Sequence, residues 1–214
     1  MTDKIPDRLV APPPLKRPPR VNPLSTEEDV AAVPWFDDED RAVCLDTLRR
    51  SIRLYNAQPT IVVRTAVNDP KGARAKFEYG AELNKLLGNE GMKRHTVQGT
   101  VLNLLVVMTL LHTNDECLAP SIIAGNGKSV PGFKPHHYAL MNHPESEVWS
   151  DEQRLVLRYT RAVLENTMTD ALWTEAVKLW GPQTCLRFIH LIGHFWTTGI
   201  RNRTLKVPYD LKKG

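Results

Sequence analysis

The sequence predicts an all-α protein, a single multi-helix domain preceded by an extended, proline-rich N-terminal arm. Three observations carry this. Apolar residues recur at three- and four-residue intervals from Asp38 onward, no segment alternates with the two-residue period of a strand, and helix start and stop signals bracket the apolar runs. A chain of 214 residues is long enough for one sizeable core with flanking segments. The expected division is an arm over residues 1–36, a helical domain over 37–208 and a basic tail over 209–214.

Eight of the 16 prolines precede Trp35, and a stretch so rich in proline cannot form helical or sheet hydrogen bonds in series. The arm is therefore read as extended or disordered, with a polyproline ligand, a contact to a neighbouring subunit or a mobile segment as its alternatives. The first helix begins in the acidic run Asp37 to Asp40 and follows Cys44, Leu45, Leu48, Ile52 and Tyr55. A second lies between Pro59 and Ala66. A third runs from Pro70 to Leu87, with Gly88 near its stop.

Residues 95–112 form the central element. Val97, Val101, Leu102, Leu104 to Met108, Leu110 and Leu111 leave no polar face, which predicts burial all round. The β-branched content also fits a buried strand, but the uninterrupted length favours helix. Asn103, inside this run, is either a satisfied core amide or part of a cavity lining. A short helix is expected from Asn114 or Asp115 to Ala124, with Asn114 as its cap, followed by a loop through Gly125, Pro131 and His137. A loop of that length is either a lid or a surface segment.

The last third reads most clearly. Ser150 and Gln153 have capping-box spacing ahead of a helix through Leu155, Val156, Tyr159 and Val163. Thr167 or Thr169 opens the next, through Trp173 and Trp180. Gly181-Pro182 breaks the chain and starts a long final helix ending near Ile200.

Composition narrows the function. The formal charge of +4 is spread along the chain and not gathered into a basic block, which argues against nucleic acid. The longest apolar run is too short for a bilayer and no secretory signal opens the chain, so a cytoplasmic location is expected. Three widely spaced cysteines, Cys44, Cys117 and Cys185, make a disulfide framework a poor reading. Glycine-rich phosphate loops, dinucleotide fingerprints and nucleophile elbows are absent from the sequence, and no cofactor is expected.

The segment from Val148 to Leu157, then Thr169-Asp170 and Trp173, Gly193-His194-Phe195 and Asn202 to Pro208, resembles the carboxymuconolactone decarboxylase-like family, which includes alkylhydroperoxidase-D-like (AhpD-like) thiol enzymes. With the central helix and the short one after it, the resemblance spans about residues 80–208. It implies an AhpD-like helical domain, a homo-oligomer and a pocket for a small molecule. The family's thiol pair and histidine do not carry over. Cys117 takes the first position, but Pro120 stands at the second and Ala124 at the histidine. In the decarboxylase-like alignment Pro120 again replaces the histidine.

A different constellation is offered by the final helix. Arg187, His190, His194, Thr197, Thr198 and Arg201 fall within about 100 degrees of one another on a helical projection. Facing a cavity, this strip supplies imidazole acid/base groups beside guanidiniums suited to a carboxylate or enolate; facing solvent, it is the wet side of an amphipathic helix. The resemblance places His194 at a pocket-lining position. His190 and His194 are four apart, but no third ligand is evident and no metal is expected.

The catalytic candidates are therefore His194, Glu116 and His190, and the substrate-binding candidates are Arg201, Arg187, Asn103, Cys117, Tyr159 and Trp196. The expected activity is a cofactor-independent lyase or isomerase, by decarboxylation, dehydration or cyclisation. Its substrate is a small, largely apolar organic acid, lactone or polyketide/terpenoid-like intermediate. The alternatives are a non-catalytic ligand-binding protein on the same fold and a single-cysteine redox protein using Cys117.

Overall fold

A computed structural model describes residues 19–55, 58–87, 97–115, 117–120, 122 and 135–208. Among them are helices and connections but no strand, so the protein is all-α. None of the described helices is long and apolar enough to cross a membrane. The helices are α1 (Glu27–Ala31), α2 (Asp38–Tyr55), α3 (Ile61–Ala66), α4 (Pro70–Leu86), α5 (Val97–His112), α6 (Pro135–Ala139), α7 (Asp151–Glu165), α8 (Asp170–Trp180) and α9 (Pro182–Thr204). Two compact units emerge, Met1–Tyr79 with Thr204–Gly214, and Gly80–Arg203.

In the first unit, part of the expected arm is folded, which corrects the reading of residues 1–36 as an extended or disordered arm. Thr26 caps α1, accepting from the Asp29 N–H, while the Asp29 carboxylate accepts from the Thr26 N–H. The Thr-x-x-Asp pattern thus closes a capping box among the prolines. Leu24, Val30, Val33 and Phe36 are then buried with Cys44, Leu48 and Val67. Backbone bonds hold the stretch before it: Arg20 donates to the Leu205 carbonyl at 2.8 Å and Leu24 to that of Arg64 at 3.0 Å. Of the stretch Pro12–Arg20, with a polyproline ligand among its readings, residues 12–18 lie outside the described residues, as does the tail over 209–214.

Burial pushes the Cys44 thiol from its ordinary 9.0 up to about 12. Because the folded state holds this proton more tightly than the unfolded chain does, the stability it contributes is intact below pH 9 and is lost as pH rises toward 12. Burial also raises Tyr159 and Cys185, with the same sign. Urea unfolding is therefore expected to show stability falling between pH 9 and 11, each such group adding at most about 1.4 kcal/mol per pH unit. Stability flat over that range would contradict this.

The second unit is built on α5. Every residue from 101 to 110 is buried except the half-buried Asn103, as a helix with no polar face requires. Its main partner is α7, whose capping box at Ser150 and Gln153 forms as expected. Leu104, Leu105, Val107 and Leu110 share one core with Val156, Leu157, Tyr159, Phe188 and Leu191. Thr169 caps α8 by accepting from the Leu172 N–H, and Pro182 starts α9, which continues to Thr204. Tyr159 is the largest fully buried side chain among the described residues. Its hydroxyl donates to the Cys185 carbonyl at 2.8 Å and its ring meets Trp180 and Phe188 edge-on.

Candidate active site

The junction of α5, the short helical segment after it and α9 holds a buried carboxylate, Asp115, with three hydrogen bonds. After α5 the chain turns through Asn114, whose φ of 53° is left-handed, a conformation that asparagine tolerates. Asn114 thereby ends α5, and the expectation that it caps the next helix is corrected. Asp115 has that role. Its Oδ1 accepts from the backbone N–H groups of Cys117 at 2.8 Å and Leu118 at 2.6 Å, and Leu118, Ala119, Pro120 and Ile122 are helical.

The other oxygen of Asp115 faces α9. Oδ2 accepts from Asn202 Nδ2 at 2.9 Å, with Asp115 3% and Asn202 2% exposed. Arg201 Nη2 donates in turn to Asn202 Oδ1 at 3.3 Å. Arg201 Nε is closed off from solvent without a hydrogen-bond partner among the described residues. Burial pushes the Arg201 guanidinium below its usual range, and the charges of Asp115 and Cys117 oppose that shift. This is a partly desolvated cation with donor capacity to spare.

His194 lies two turns earlier on α9 and is half-buried. Its imidazole lies against α4 where that helix has Gly80; a Cβ on Gly80 would stand 2.7 Å from His194 Cε1 and 2.9 Å from Nε2. Glycine makes room for the ring. The Thr197 and Thr198 hydroxyls both donate to the His194 carbonyl at 2.9 Å. A second close approach sits between His194 and Arg201 in sequence: a Cβ on Gly199 would fall 1.9 Å from Thr113 Oγ1, seating α9 against the end of α5.

The other candidates scatter. Arg187 Nη1 donates to the Leu86 carbonyl at 2.9 Å and so caps the end of α4. His190 is exposed, as are Thr197 and Trp196, the last at 44%. Tyr159 is a core residue with a satisfied hydroxyl, which corrects its assignment to the substrate. Asn103 is half-buried, and its Nδ2 is enclosed without a partner among the described residues. Cys117 is buried beneath the Asp115 cap at 3% exposure. Glu116 and residues 125–134 of the loop read as a lid or surface segment lie outside the described residues, and the expectation that the loop continues through His137 is corrected, because Pro135 opens the short helix α6 there.

Asp115 and Asn202 are the members that sequence reasoning passed over. An aspartate before a short apolar segment is a recognisable cap, but pairing across 87 positions leaves no local signal. Among the described residues no three His, Cys, Asp or Glu side chains gather into a group able to hold a metal. A separate open groove of about 530 Å³ is lined by Pro144, Glu145, Asp151, Arg154, Arg158 and Glu175, none of them a candidate. Four of its five charged residues pair with one another, Arg154 with Asp151 at 3.1 Å and Arg158 with Glu175.

Comparison with protein-family models, with curated proteins and with solved structures gave no match.

Proposed function

We propose that this chain is an AhpD-like, carboxymuconolactone decarboxylase-like protein working as an acid/base lyase or isomerase without a redox cofactor. Its substrate is a small, largely apolar organic acid, lactone or polyketide/terpenoid-like intermediate. The observation that supports this reading best is Arg201, a partly desolvated guanidinium with an uncommitted Nε on the same helix as His194. Such a cation suits a substrate carboxylate or the oxyanion of an enolate. Asp115 and Asn202 position it.

In the decarboxylation form of this reaction, on a substrate with a carbonyl β to its carboxylate, the bond from the α-carbon to the carboxyl carbon breaks, carbon dioxide forms, and the electron pair passes to the β-carbonyl to give an enolate whose oxygen Arg201 stabilises. Protonated His194 then delivers its proton to the α-carbon, and carbon dioxide leaves. Isomerisation uses the same proton transfer without loss of mass. Glu116 is the second acid/base group of this scheme, one residue from the Asp115 cap. We place the protein in the cytoplasm, since none of Cys44, Cys117 and Cys185 is in a disulfide.

A second reading, ligand binding without turnover, draws on Pro120. It is helical in the short segment and stands where the resemblance calls for the second cysteine or the histidine. Mass spectrometry of β-keto acids, lactones and a metabolite extract incubated with the protein separates the two readings. Turnover is expected, reduced about 100-fold in His194→Ala and in Arg201→Met with folding retained. Full activity in both variants would remove these residues from the reaction.

A further inference from the structure

α4 keeps a glycine where its own backbone does not ask for one. Gly80 lies well inside the helix, is buried, and does not have a left-handed φ. Alanine at such a place favours the folded chain roughly fivefold over glycine, so glycine there costs stability. What it faces is the imidazole of His194: a Cβ at this position would stand 2.7 Å from Cε1, 2.9 Å from Nε2 and 3.5 Å from Nδ1. The ring therefore turns its Cε1–Nε2 edge toward the α4 backbone, and its Nδ1 is closed off from solvent.

Two further contacts fix the backbone at that spot. Asn84 Nδ2 donates to the Gly80 carbonyl at 2.9 Å, and Arg187 Nη1 donates to the Leu86 carbonyl at 2.9 Å. From Gly80 to Leu86 is about two turns toward the end of α4, and from His194 to Arg187 about two turns toward the start of α9. The arginine thus holds the two helices in the register that sets His194 over Gly80. The other glycines of α9 differ. A Cβ on Gly193 would meet nothing within 4 Å, and Gly199 seats the helix on Thr113.

We propose that Gly80 is a positioning residue for His194: the lack of a side chain there, in a register held by Arg187, confines the imidazole to the orientation in which it delivers its proton. This inference rests on the acid/base reading above and brings α4 into that site. A methyl group at position 80 leaves the chain able to fold, because the ring is the end of a side chain and can swing away. The cost falls on the ring's place. A displacement of about 1 Å slows a positioned reaction by roughly 100-fold.

Gly80→Ala, alone and combined with His194→Ala, tests this on the full chain, with NMR of the histidine rings and urea melts beside turnover of β-keto acids and lactones. In Gly80→Ala the His194 ring signals, assigned by their loss in His194→Ala, are expected to move. The kcat is expected to fall about 100-fold with KM within about twofold, because Arg201 is untouched. Stability separates a ring contact from a packing role. With alanine at position 194, Gly80→Ala is expected to raise the folding constant roughly fivefold; with histidine there the gain is expected to vanish, whereas Gly193→Ala gains equally in both. Unmoved ring signals, the same gain at position 80 in both backgrounds, or full turnover by Gly80→Ala would each overturn the proposal. If the wild-type chain turns nothing over, the acid/base reading falls, and the ring signals and the stability cycle still decide whether Gly80 holds His194.

Discussion

Tyr159→Ala is expected to lower the free energy of unfolding by about 4 kcal/mol, the largest effect of any substitution considered for this chain. Tyr159 is fully buried where α7 meets α9, and its ring is bounded by Trp180 at 5.9 Å and Phe188 at 6.3 Å between centroids. Alanine would remove the ring and leave a cavity walled by two large aromatics that cannot both collapse into it. Alanine would also strip the Cys185 carbonyl of its hydroxyl donor. Tyr159→Phe separates the contributions: it keeps the ring, loses only the hydrogen bond, and is expected to cost about 1 kcal/mol. Urea melts of the two variants check this, and near-equal losses would show that the hydroxyl matters more than the ring.

Asp115→Ala is expected to cost about 3 kcal/mol. About 1 kcal/mol of this is the lost cap on the Cys117 and Leu118 N–H groups. The remainder comes from the Asn202 amide, 2% exposed and left without its acceptor. Arg201 also loses the opposing charge that offsets its desolvation. Combining Asp115→Ala with Arg201→Met should therefore recover part of the loss, because the uncompensated cation is removed with its partner. Strict additivity in that double-mutant cycle would mean that the two groups do not interact.

Local signals in the sequence specify structure where they are complete. Ser150 with Gln153, Thr169, and Pro182 after Gly181 each mark a helix start that the structure shows, and the faceless run of residues 101–110 is the buried helix it implies. The capping box at Thr26 is equally local but lies among prolines, whose weight in the composition obscures the three-residue spacing of Val30, Val33 and Phe36. Asn114 and Asp115 are both good caps, and only the backbone decides that the first closes α5 while the second opens the short helical segment through Leu118 and Ala119.

The site is less legible than the fold. A helical projection groups Arg187, His190, His194 and Arg201 but cannot tell which neighbour each one meets. Arg187 is committed to the end of α4, His194 rests on Gly80 and Arg201 reaches Asn202. Nor does it show that Trp196, a substrate-binding candidate, is 44% exposed while Cys185, Phe188, Leu191 and Ile192 form the buried face of α9.

The central claim is that this protein moves a proton on a small carboxylated or lactone substrate, and product mass in deuterated water tests it most directly. Incubating the purified chain with β-keto acids, lactones and an extract in D₂O is expected to yield a species carrying a deuterium that does not exchange back. That species should be lighter by carbon dioxide or water, or otherwise unchanged in composition, and absent with His194→Ala. A compound that binds the protein, is displaced by Arg201→Met and returns chemically unchanged would contradict catalysis and make the chain a binding protein.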